Sequence, residues 1–245
     1  MTALALYNLK GGVGKTAAAI NLAYLAAADG YKTLVWDLDP QGSSSFYLNV
    51  KATNKNETKK LFAEELDIKD AIQTSAFGNL WIIPADISAR NVDTLLHESK
   101  HSKKKLKSLL SDLKGYDIII LDCPPGISLL HENIFNAADW ILMPNIPTTL
   151  SVNSFETVME YFKNNELDKD KVKCFFSMVD HRKNLHHETI QQFYKDKLFF
   201  KSYIPYLSDV EKMGIHQQPI FEYANSSYAA QCFRDLWNEV KKVCL

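Results

Sequence analysis

The amino-acid sequence predicts an α/β fold in which a doubly wound, mostly parallel β-sheet is flanked by helices. Short apolar runs alternate with longer stretches of helical periodicity from one end of the chain to the other, an order typical of parallel sheets. The strand candidate Ile118–Leu121 is apolar at every position, as expected when helices cover both faces of a sheet. A glycine-rich segment at residues 11–14 lies between the first predicted strand and the first predicted helix.

The predicted elements follow in order. The first two strands are Leu4–Tyr7 and Lys32–Trp36, and between them a helix covers about Lys15–Asp29 and ends at Gly30. The other strand candidates are Leu80–Ile83, Asp117–Leu121, Trp140–Met143 and Val172–Met178. The other helical patterns lie near Ala85–Glu98, Lys103–Leu113, Ile127–Ala137, Val152–Asn164 and Ser226–Val243. Because we find neither an internal repeat nor a long linker, residues 1–245 are expected to form a single domain.

Two lysine-rich stretches interrupt this alternation. The first, about residues 51–60, is expected to be an exposed insertion after the second strand. The second, Lys100–Lys107, is expected to begin a helix. Runs of this kind are usually solvated surface.

Composition excludes several classes of protein. The 28 Lys and Arg against 29 Asp and Glu give a net charge of −1, which excludes a strongly basic nucleic-acid-binding protein but not a local basic face. No apolar run approaches the roughly 18 residues that a membrane span needs, and the short apolar start is not typical of a signal peptide. The four cysteines show no CxxC spacing, which favours a reduced, cytoplasmic chain.

The strongest motif is KGGVGKT at residues 10–16. Its glycines allow successive backbone N–H groups to converge on an anion, and the N-terminus of the following helix adds its dipole. In this context Lys15 is predicted to reach the β- and γ-phosphates of a nucleotide, and the Thr16 hydroxyl to ligate Mg²⁺.

Acidic residues follow two of the apolar strands. Asp37 and Asp39 lie in the segment DLDPQG after the second strand, and Asp122 ends the strand before CPPG. The carboxyl edge of an open α/β sheet is where ligands bind, so these carboxylates are predicted to lie near the phosphate loop, with Asp122 binding Mg²⁺ through water. Cys123 is expected to be a small core residue.

KGGVGKT, DPQG and DCPPG together resemble the ParA/MinD family of P-loop ATPases, the SIMIBI class with a deviant Walker A motif, and its ParA/Soj-like branch in particular. The resemblance covers roughly the whole chain and implies the Rossmann-like three-layer P-loop NTPase fold, ATP and Mg²⁺ as ligands, and ATP hydrolysis. By resemblance, Lys10 crosses the interface of an ATP-sandwich homodimer, Asp39 positions or activates the attacking water, and Asp37 lies near Mg²⁺. The nucleotide-binding residues that the resemblance implies are Gly11, Gly12, Val13, Gly14, Lys15, Thr16, Ala17 and, near the adenine, Pro205.

Members of this family bind one of two cellular surfaces, DNA or the membrane. ParA-like proteins bind DNA without sequence preference as ATP dimers and position plasmids, chromosomes or protein cargo, and a ParB-like or other partner stimulates hydrolysis. MinD-like proteins bind membrane through a C-terminal amphipathic helix. Here the last helix reaches Lys241–Leu245 with an apolar face suited to packing, and DPQG is more ParA-like. A cytoplasmic, nucleoid-associated protein without membrane binding is therefore expected, with a MinD-like membrane regulator as the alternative.

The residues that would bind DNA are less directly indicated. Many relatives carry basic residues after the Ile-Pro that corresponds to Ile204-Pro205, whereas this chain continues with the acidic segment Tyr206–Glu211. Sequence-independent binding needs only a clustered positive face. The candidate residues for such a face are Arg182, Lys183, Lys195, Lys197, Lys201, Arg234, Lys241 and Lys242.

Two further classes are considered. An electron-transfer ATPase resembling the nitrogenase iron protein would need cysteines from both subunits to hold an iron–sulfur cluster, and only Cys123 is expected near the nucleotide edge. A metabolic kinase is compatible with any P-loop, but no substrate-binding lid is evident in the sequence.

Overall fold

An eight-stranded β-sheet runs through the computed structural model, which describes residues 1–53, 55–98 and 102–245. The strand order is β3-β4-β2-β5-β1-β6-β7-β8, and every neighbouring pair is parallel except β3 and β4. The strands are β1 (Thr2–Leu6), β2 (Thr33–Asp37), β3 (Gln73–Thr74), β4 (Leu80–Ile83), β5 (Ile118–Asp122), β6 (Trp140–Asn145), β7 (Val172–Val179) and β8 (Phe199–Pro205). The predicted mostly parallel sheet is confirmed.

Helices cover both faces of this sheet. In the described ranges the α-helices are α1 (Lys15–Ala28), α2 (Ser43–Tyr47), α3 (Glu57–Phe62), α4 (Val92–Glu98), α5 (Lys105–Ser111), α6 (Leu129–Ala137), α7 (Thr149–Asn164), α8 (Asn184–Phe193), α9 (Ser208–Glu211), α10 (Met213–His216) and α11 (Tyr228–Cys244). No helix within these ranges combines the length and the apolar character that crossing a membrane requires.

Alternate residues of the central strands enter two different apolar clusters. Ile119 and Leu121 of β5 pack on the face covered by α4–α7, whereas Ile118 and Ile120 pack on the face covered by α1 and α11. Because side chains alternate across a strand, a strand covered on both faces must be apolar at every position. The uninterrupted apolar run that predicted β5 has this cause.

Several elements differ from the sequence prediction. The region predicted as one helix at Ala85–Glu98 begins as a 3-10 helix at Ile87–Asn91, and only α4 is α-helical. The sequence analysis does not predict strands β3 and β8 or helices α2, α3, α8, α9 and α10.

The first lysine-rich stretch is not uniformly exposed. Its later part lies in α3, where Glu57 and Thr58 are 1% and 2% exposed, and the backbone N–H of Thr58 donates to Asp86. The expected exposed insertion is therefore wrong at these two positions. Asn54 in this stretch, and Lys100 and His101 in the second stretch, lie outside the described residues.

Candidate functional site

Three central strands bring the sequence motifs to one edge of the sheet. Strand β5 lies between β1 and β2, and its last residue, Asp122, is in register with Leu6 at the end of β1 and with Asp37 at the end of β2. The glycine-rich loop after β1 and the two carboxylates therefore emerge side by side at the carboxyl edge.

The glycine-rich loop has a backbone that only glycine adopts without strain. Gly12 and Gly14 have φ of +70° and +89°, in the left-handed region. A Cβ on Gly14 would also lie 2.7 Å from the Ser177 hydroxyl. Helix α1 begins directly after this loop without a side-chain cap, so its first N–H groups are available to an anion. The loop thus forms a cradle that fits a phosphate group.

The two lysines of the motif point to different places. Lys15 is 7% exposed, and its Nζ donates to the Lys10 carbonyl at 3.0 Å, so it lies over the loop. Burial lowers the pKa of Lys15, while Asp122 and Asp39 oppose this change. The Nζ of Lys10 instead donates to the Leu150 carbonyl in α7 at 2.6 Å, outside the loop. Lys15 is placed to meet a phosphate bound by its own chain, and Lys10 lies at the surface.

Asp37 and Asp122 are fully buried carboxylates. The Oδ2 atom of Asp37 accepts hydrogen bonds from the Ser45 backbone N–H at 2.8 Å and hydroxyl at 2.7 Å. The Oδ2 atom of Asp122 accepts one from the Ser44 hydroxyl at 2.8 Å. Burial raises the pKa of Asp37 to about 6, and burial together with the charge of Asp37 raises the pKa of Asp122 to about 7.

Ser44 and Ser45 are site residues that the sequence analysis missed. They belong to the serine run that follows DPQG and forms the start of α2. A run of hydroxyl groups directly after an acidic strand end is a signal that could have found them.

Asp39 differs from the other two carboxylates because it is half-exposed. One of its oxygens accepts from the Gln41 backbone N–H at 2.9 Å, and its carbonyl accepts from the Gly42 N–H. DPQG therefore forms a turn, and the same turn places the Asp39 side chain in the wall of a cleft with Lys15 and Thr16.

The oxygen donors of this edge fit Mg²⁺. Asp122 Oδ1 is buried and, within the described residues, has no hydrogen-bond partner. The Thr16 hydroxyl interacts with the same carboxylate, and Asp37 lies in register beside it. The described residues contain no group of three or more His, Cys, Asp or Glu suited to hold a metal. This arrangement suits Mg²⁺, which is commonly bound by one or two carboxylates, waters and substrate phosphates.

Two clefts meet beside the glycine-rich loop. The first, of about 560 Å³, is lined by residues including Gly11, Gly12, Thr16 and Asp39. The second, of about 160 Å³, is more apolar and is lined by residues including Pro205. The residues that line both clefts are Gly14, Ala17 and Tyr47. Of the sequence-predicted nucleotide-binding residues, Val13 differs, because its side chain is buried at 1% exposure and lines neither cleft.

The candidate DNA-binding residues are distributed over the β7–β8 side of the sheet. Within the described part of the chain, four of them have engaged side chains: Arg182 donates to Asp180, Lys201 to the Tyr194 carbonyl, Arg234 to Asn225 and Lys241 to Asp29. The other candidates are exposed and lack such partners among the described residues, and they are Lys183, Lys195, Lys197 and Lys242.

Comparison with known proteins identifies the family. A family profile described as an AAA domain matches residues 1–173. Sporulation initiation inhibitor protein Soj from Bacillus subtilis is 30% identical over 246 residues, which cover 97% of each chain. The chain belongs to the ParA/MinD family of P-loop ATPases. Another relative of this ParA/MinD-family protein, chromosome-partitioning ATPase Soj from Treponema pallidum, is 34% identical over 238 residues. The matched region covers 94% of this chain and 90% of the relative.

Solved structures show the same fold. Apo McdA from Cyanothece superposes with a TM-score of 0.86 at 23% identity, covering 98% of this chain and 99% of that one. The cell-division ATPase MinD from Pyrococcus furiosus superposes with a TM-score of 0.81 at 22% identity, covering 98% of each chain. The predicted three-layer P-loop fold is thereby confirmed.

Proposed function

We propose that this ParA/MinD-family protein is a partition or cargo-positioning ATPase that Mg²⁺ and ATP convert from a monomer into a DNA-binding homodimer. The observation that carries the proposal is the pair of lysines in KGGVGKT. Lys15 lies over its own glycine-rich loop, whereas the Lys10 ammonium lies outside it, bonded to the Leu150 carbonyl. A cation at the surface beside the nucleotide site can serve a second subunit.

Nucleotide binding follows from the loop. Backbone N–H groups of the loop and the start of α1 hold the phosphates, and Lys15 neutralises their charge. The Thr16 hydroxyl and the carboxylates of Asp37 and Asp122 hold Mg²⁺, directly or through water. When bound, Mg²⁺ neutralises charge that develops on the phosphates during transfer.

Hydrolysis depends on Asp39. Its half-exposed carboxylate lines the phosphate cleft and positions a water for attack on the γ-phosphorus. Slow hydrolysis would keep the dimer assembled until a ParB-like or other partner stimulates the reaction.

Lys10 couples nucleotide state to assembly. A second cation, delivered in trans, stabilises γ-phosphate charge that is absent in ADP. The dimer is therefore stable with ATP and dissociates after hydrolysis. The names of relatives support this use, since they include a chromosome-partitioning ATPase Soj and a chromosome-partitioning protein ParA from Myxococcus xanthus. We propose that the ATP dimer binds nucleoid DNA without sequence preference.

The test is the assembly state of a hydrolysis-deficient protein. Asp39→Ala is expected to elute from size-exclusion chromatography as a dimer with Mg²⁺-ATP and as a monomer with ADP. Lys10→Ala/Asp39→Ala is the matched control, which should bind ATP yet remain monomeric. A monomeric Asp39→Ala protein at saturating ATP would contradict the proposal.

A further inference from the structure

The junction between the two clefts contains one large side chain. Gly14, Ala17 and Tyr47 line both clefts, and only Tyr47 among them carries a ring and a hydroxyl. A nucleotide with its phosphates on the glycine-rich loop and its base beside Pro205 must place its ribose and α-phosphate at this junction. Tyr47 is therefore the side chain best placed to touch that part of the molecule.

The surroundings of Tyr47 leave its hydroxyl available. Its ring lies 5.9 Å from that of Phe46, and on another side a Cβ on Gly214 would be 3.8 Å from its Cε1 atom. Within the described residues no protein group forms a hydrogen bond with the Tyr47 hydroxyl. Burial and the charge of Asp122 raise the pKa of this phenol, so it retains its proton and can donate to an oxygen.

We propose that Tyr47 is a nucleotide-contacting residue whose ring packs against the ribose and whose hydroxyl donates a hydrogen bond to an oxygen of the ribose or α-phosphate. This inference rests on the proposed nucleotide-dependent function and adds a specific contact to it. The contact lies outside the three motifs that identify the site, because Tyr47 follows DPQG by five residues.

The same contact connects the nucleotide to the buried carboxylates. Tyr47 ends α2, and the hydroxyl groups of Ser44 and Ser45 in that helix bond Asp122 and Asp37. Five consecutive residues thus include two partners of the carboxylates and one proposed partner of the nucleotide. A bound nucleotide would hold α2, and with it the two serines, in place.

The experiment measures affinity for unmodified ADP by isothermal titration calorimetry in the presence of Mg²⁺. Loss of one hydrogen bond is expected to raise the Kd of Tyr47→Phe roughly three- to tenfold. Tyr47→Ala, which also loses the ring, should raise the Kd more than Tyr47→Phe. Thermal unfolding without nucleotide provides the folding check, and Tyr47→Phe decides the result because it preserves the shape of the ring.

Phe46→Ala is the matched control. Phe46 is the adjacent aromatic residue of α2, is 48% exposed and lines neither of the two nucleotide clefts. Its removal should change the Kd less than twofold. A Tyr47→Phe protein that binds unmodified ADP as tightly as the wild type overturns the proposal, while the proposed function stands. Failure of the wild-type protein to bind unmodified ADP overturns both.

Discussion

At the scale of single residues, the carboxylates of Asp37 and Asp122 dominate the electrostatics of the site. Both are 0% exposed, so ionising either carboxyl costs free energy, and the charge of Asp37 adds to that cost at Asp122. Hydroxyl groups of Ser44 and Ser45 offset part of this cost by donating to the ionised forms. Mg²⁺ would remove the remainder, because a divalent cation stabilises both negative charges. The nucleotide-free protein therefore carries an electrostatic cost that its ligands relieve.

The first prediction concerns pH. The folded-state pKa values of about 6 and about 7 lie above the ordinary carboxylate value of about 3.9. The folded state thus binds more protons than the unfolded state between about pH 4 and 7, and this contribution to stability is lost as pH rises through that window. Asp122→Asn should unfold at a temperature similar to the wild type at pH 4 and a few degrees higher at pH 8.

Differential scanning fluorimetry of the nucleotide-free proteins checks this difference. Asp39→Asn is the control, since Asp39 is a half-exposed carboxylate of the same site. If the difference in unfolding temperature between Asp122→Asn and the wild type does not increase with pH, burial of this carboxylate does not lower stability at high pH.

The second prediction concerns Gly14. Gly14→Ala combines a φ of +89° with a Cβ placed 2.7 Å from the Ser177 hydroxyl, whereas Gly12→Ala has a φ of +70° and no atom within 4 Å. Both changes strain the backbone by about 1–2 kcal/mol, but Gly14→Ala must also turn the Ser177 hydroxyl away. We expect Gly14→Ala to weaken ADP binding more than Gly12→Ala. Equal effects of the two changes would mean that contact with Ser177 does not shape the loop.

At the scale of elements, a side chain of helix α11 forms hydrogen bonds with backbone N–H groups of the edge strand β8. Between the pairs Cys174–Phe199 and Phe176–Tyr203, β7 advances by two residues and β8 by four, so the pairing contains a bulge. The backbone N–H groups of Lys201 and Ser202 in this bulge donate to the Glu239 carboxylate of α11 at 2.9 and 2.6 Å. Glu239 thereby partners two edge amides that would otherwise be open to another strand.

The third prediction follows from this contact. Glu239→Ala leaves both amides without their partner and should lower the free energy of unfolding by about 1–3 kcal/mol. Urea denaturation followed by circular dichroism gives the value. Asn238→Ala, an exposed neighbour on the same helix, should change it by less than about 0.5 kcal/mol. If Glu239→Ala has the same free energy of unfolding as Asn238→Ala, the two hydrogen bonds do not contribute to stability.

Elements that are determined by a contiguous pattern of residues could be predicted from the sequence. Elements that depend on contacts with residues far away in the chain could not. Strand β5 was predicted because two covered faces require an unbroken apolar run, and the glycine-rich loop because its motif is contiguous. Helix α2 has the sequence SSSFY, which has little helical preference. It is held by serine hydroxyls that bond Asp37 and Asp122, the latter 78 residues away. Strand β8 was missed because Lys201 and Ser202 interrupt its apolar pattern at the bulge.

The site divides along the same line. The positions of Lys15, Thr16 and Asp122 were expected because each lies at or after the end of a strand that could be located in the sequence. Tyr47 could not be expected, because its place at the junction depends on how α2 packs against α10 and on the convergence of two clefts. Glu57 and Thr58 were expected to be exposed, and their burial depends on the packing of α3.

At the scale of the whole molecule, the charge balance restricts where DNA can bind. A net charge of −1 gives no general attraction to a polyanion, so the proposed DNA binding needs a local basic face. Lys241 already neutralises Asp29 at 2.6 Å, and Trp237 donates to the same carboxylate. By contrast, Lys195 and Lys197 are exposed in the loop before β8 and have no side-chain partner among the described residues. These two lysines can meet phosphates without giving up an existing ion pair.

The fourth prediction separates these two kinds of lysine. Lys195→Glu/Lys197→Glu should weaken binding of the ATP dimer to a random-sequence duplex and leave the unfolding temperature unchanged. For every phosphate that the variant no longer neutralises, the negative slope of log K against log salt should become shallower by about 0.9. Lys241→Glu should instead lower the unfolding temperature, because it places a second carboxylate beside Asp29. Fluorescence anisotropy at two salt concentrations, with ATP, ADP or no nucleotide, measures the binding.

The dependence of DNA binding on nucleotide decides between the outcomes. If the wild type binds DNA only with ATP and in a salt-sensitive way, and Lys195→Glu/Lys197→Glu loses this binding, the DNA contacts the loop before β8. Unchanged binding in this variant would move the interface away from that loop. If the wild type does not bind DNA with any nucleotide, DNA is not the surface on which this protein acts. Nucleotide binding is a separate property, because the phosphate cleft lies at the carboxyl edge of β1, β2 and β5 and includes neither Lys195 nor Lys197.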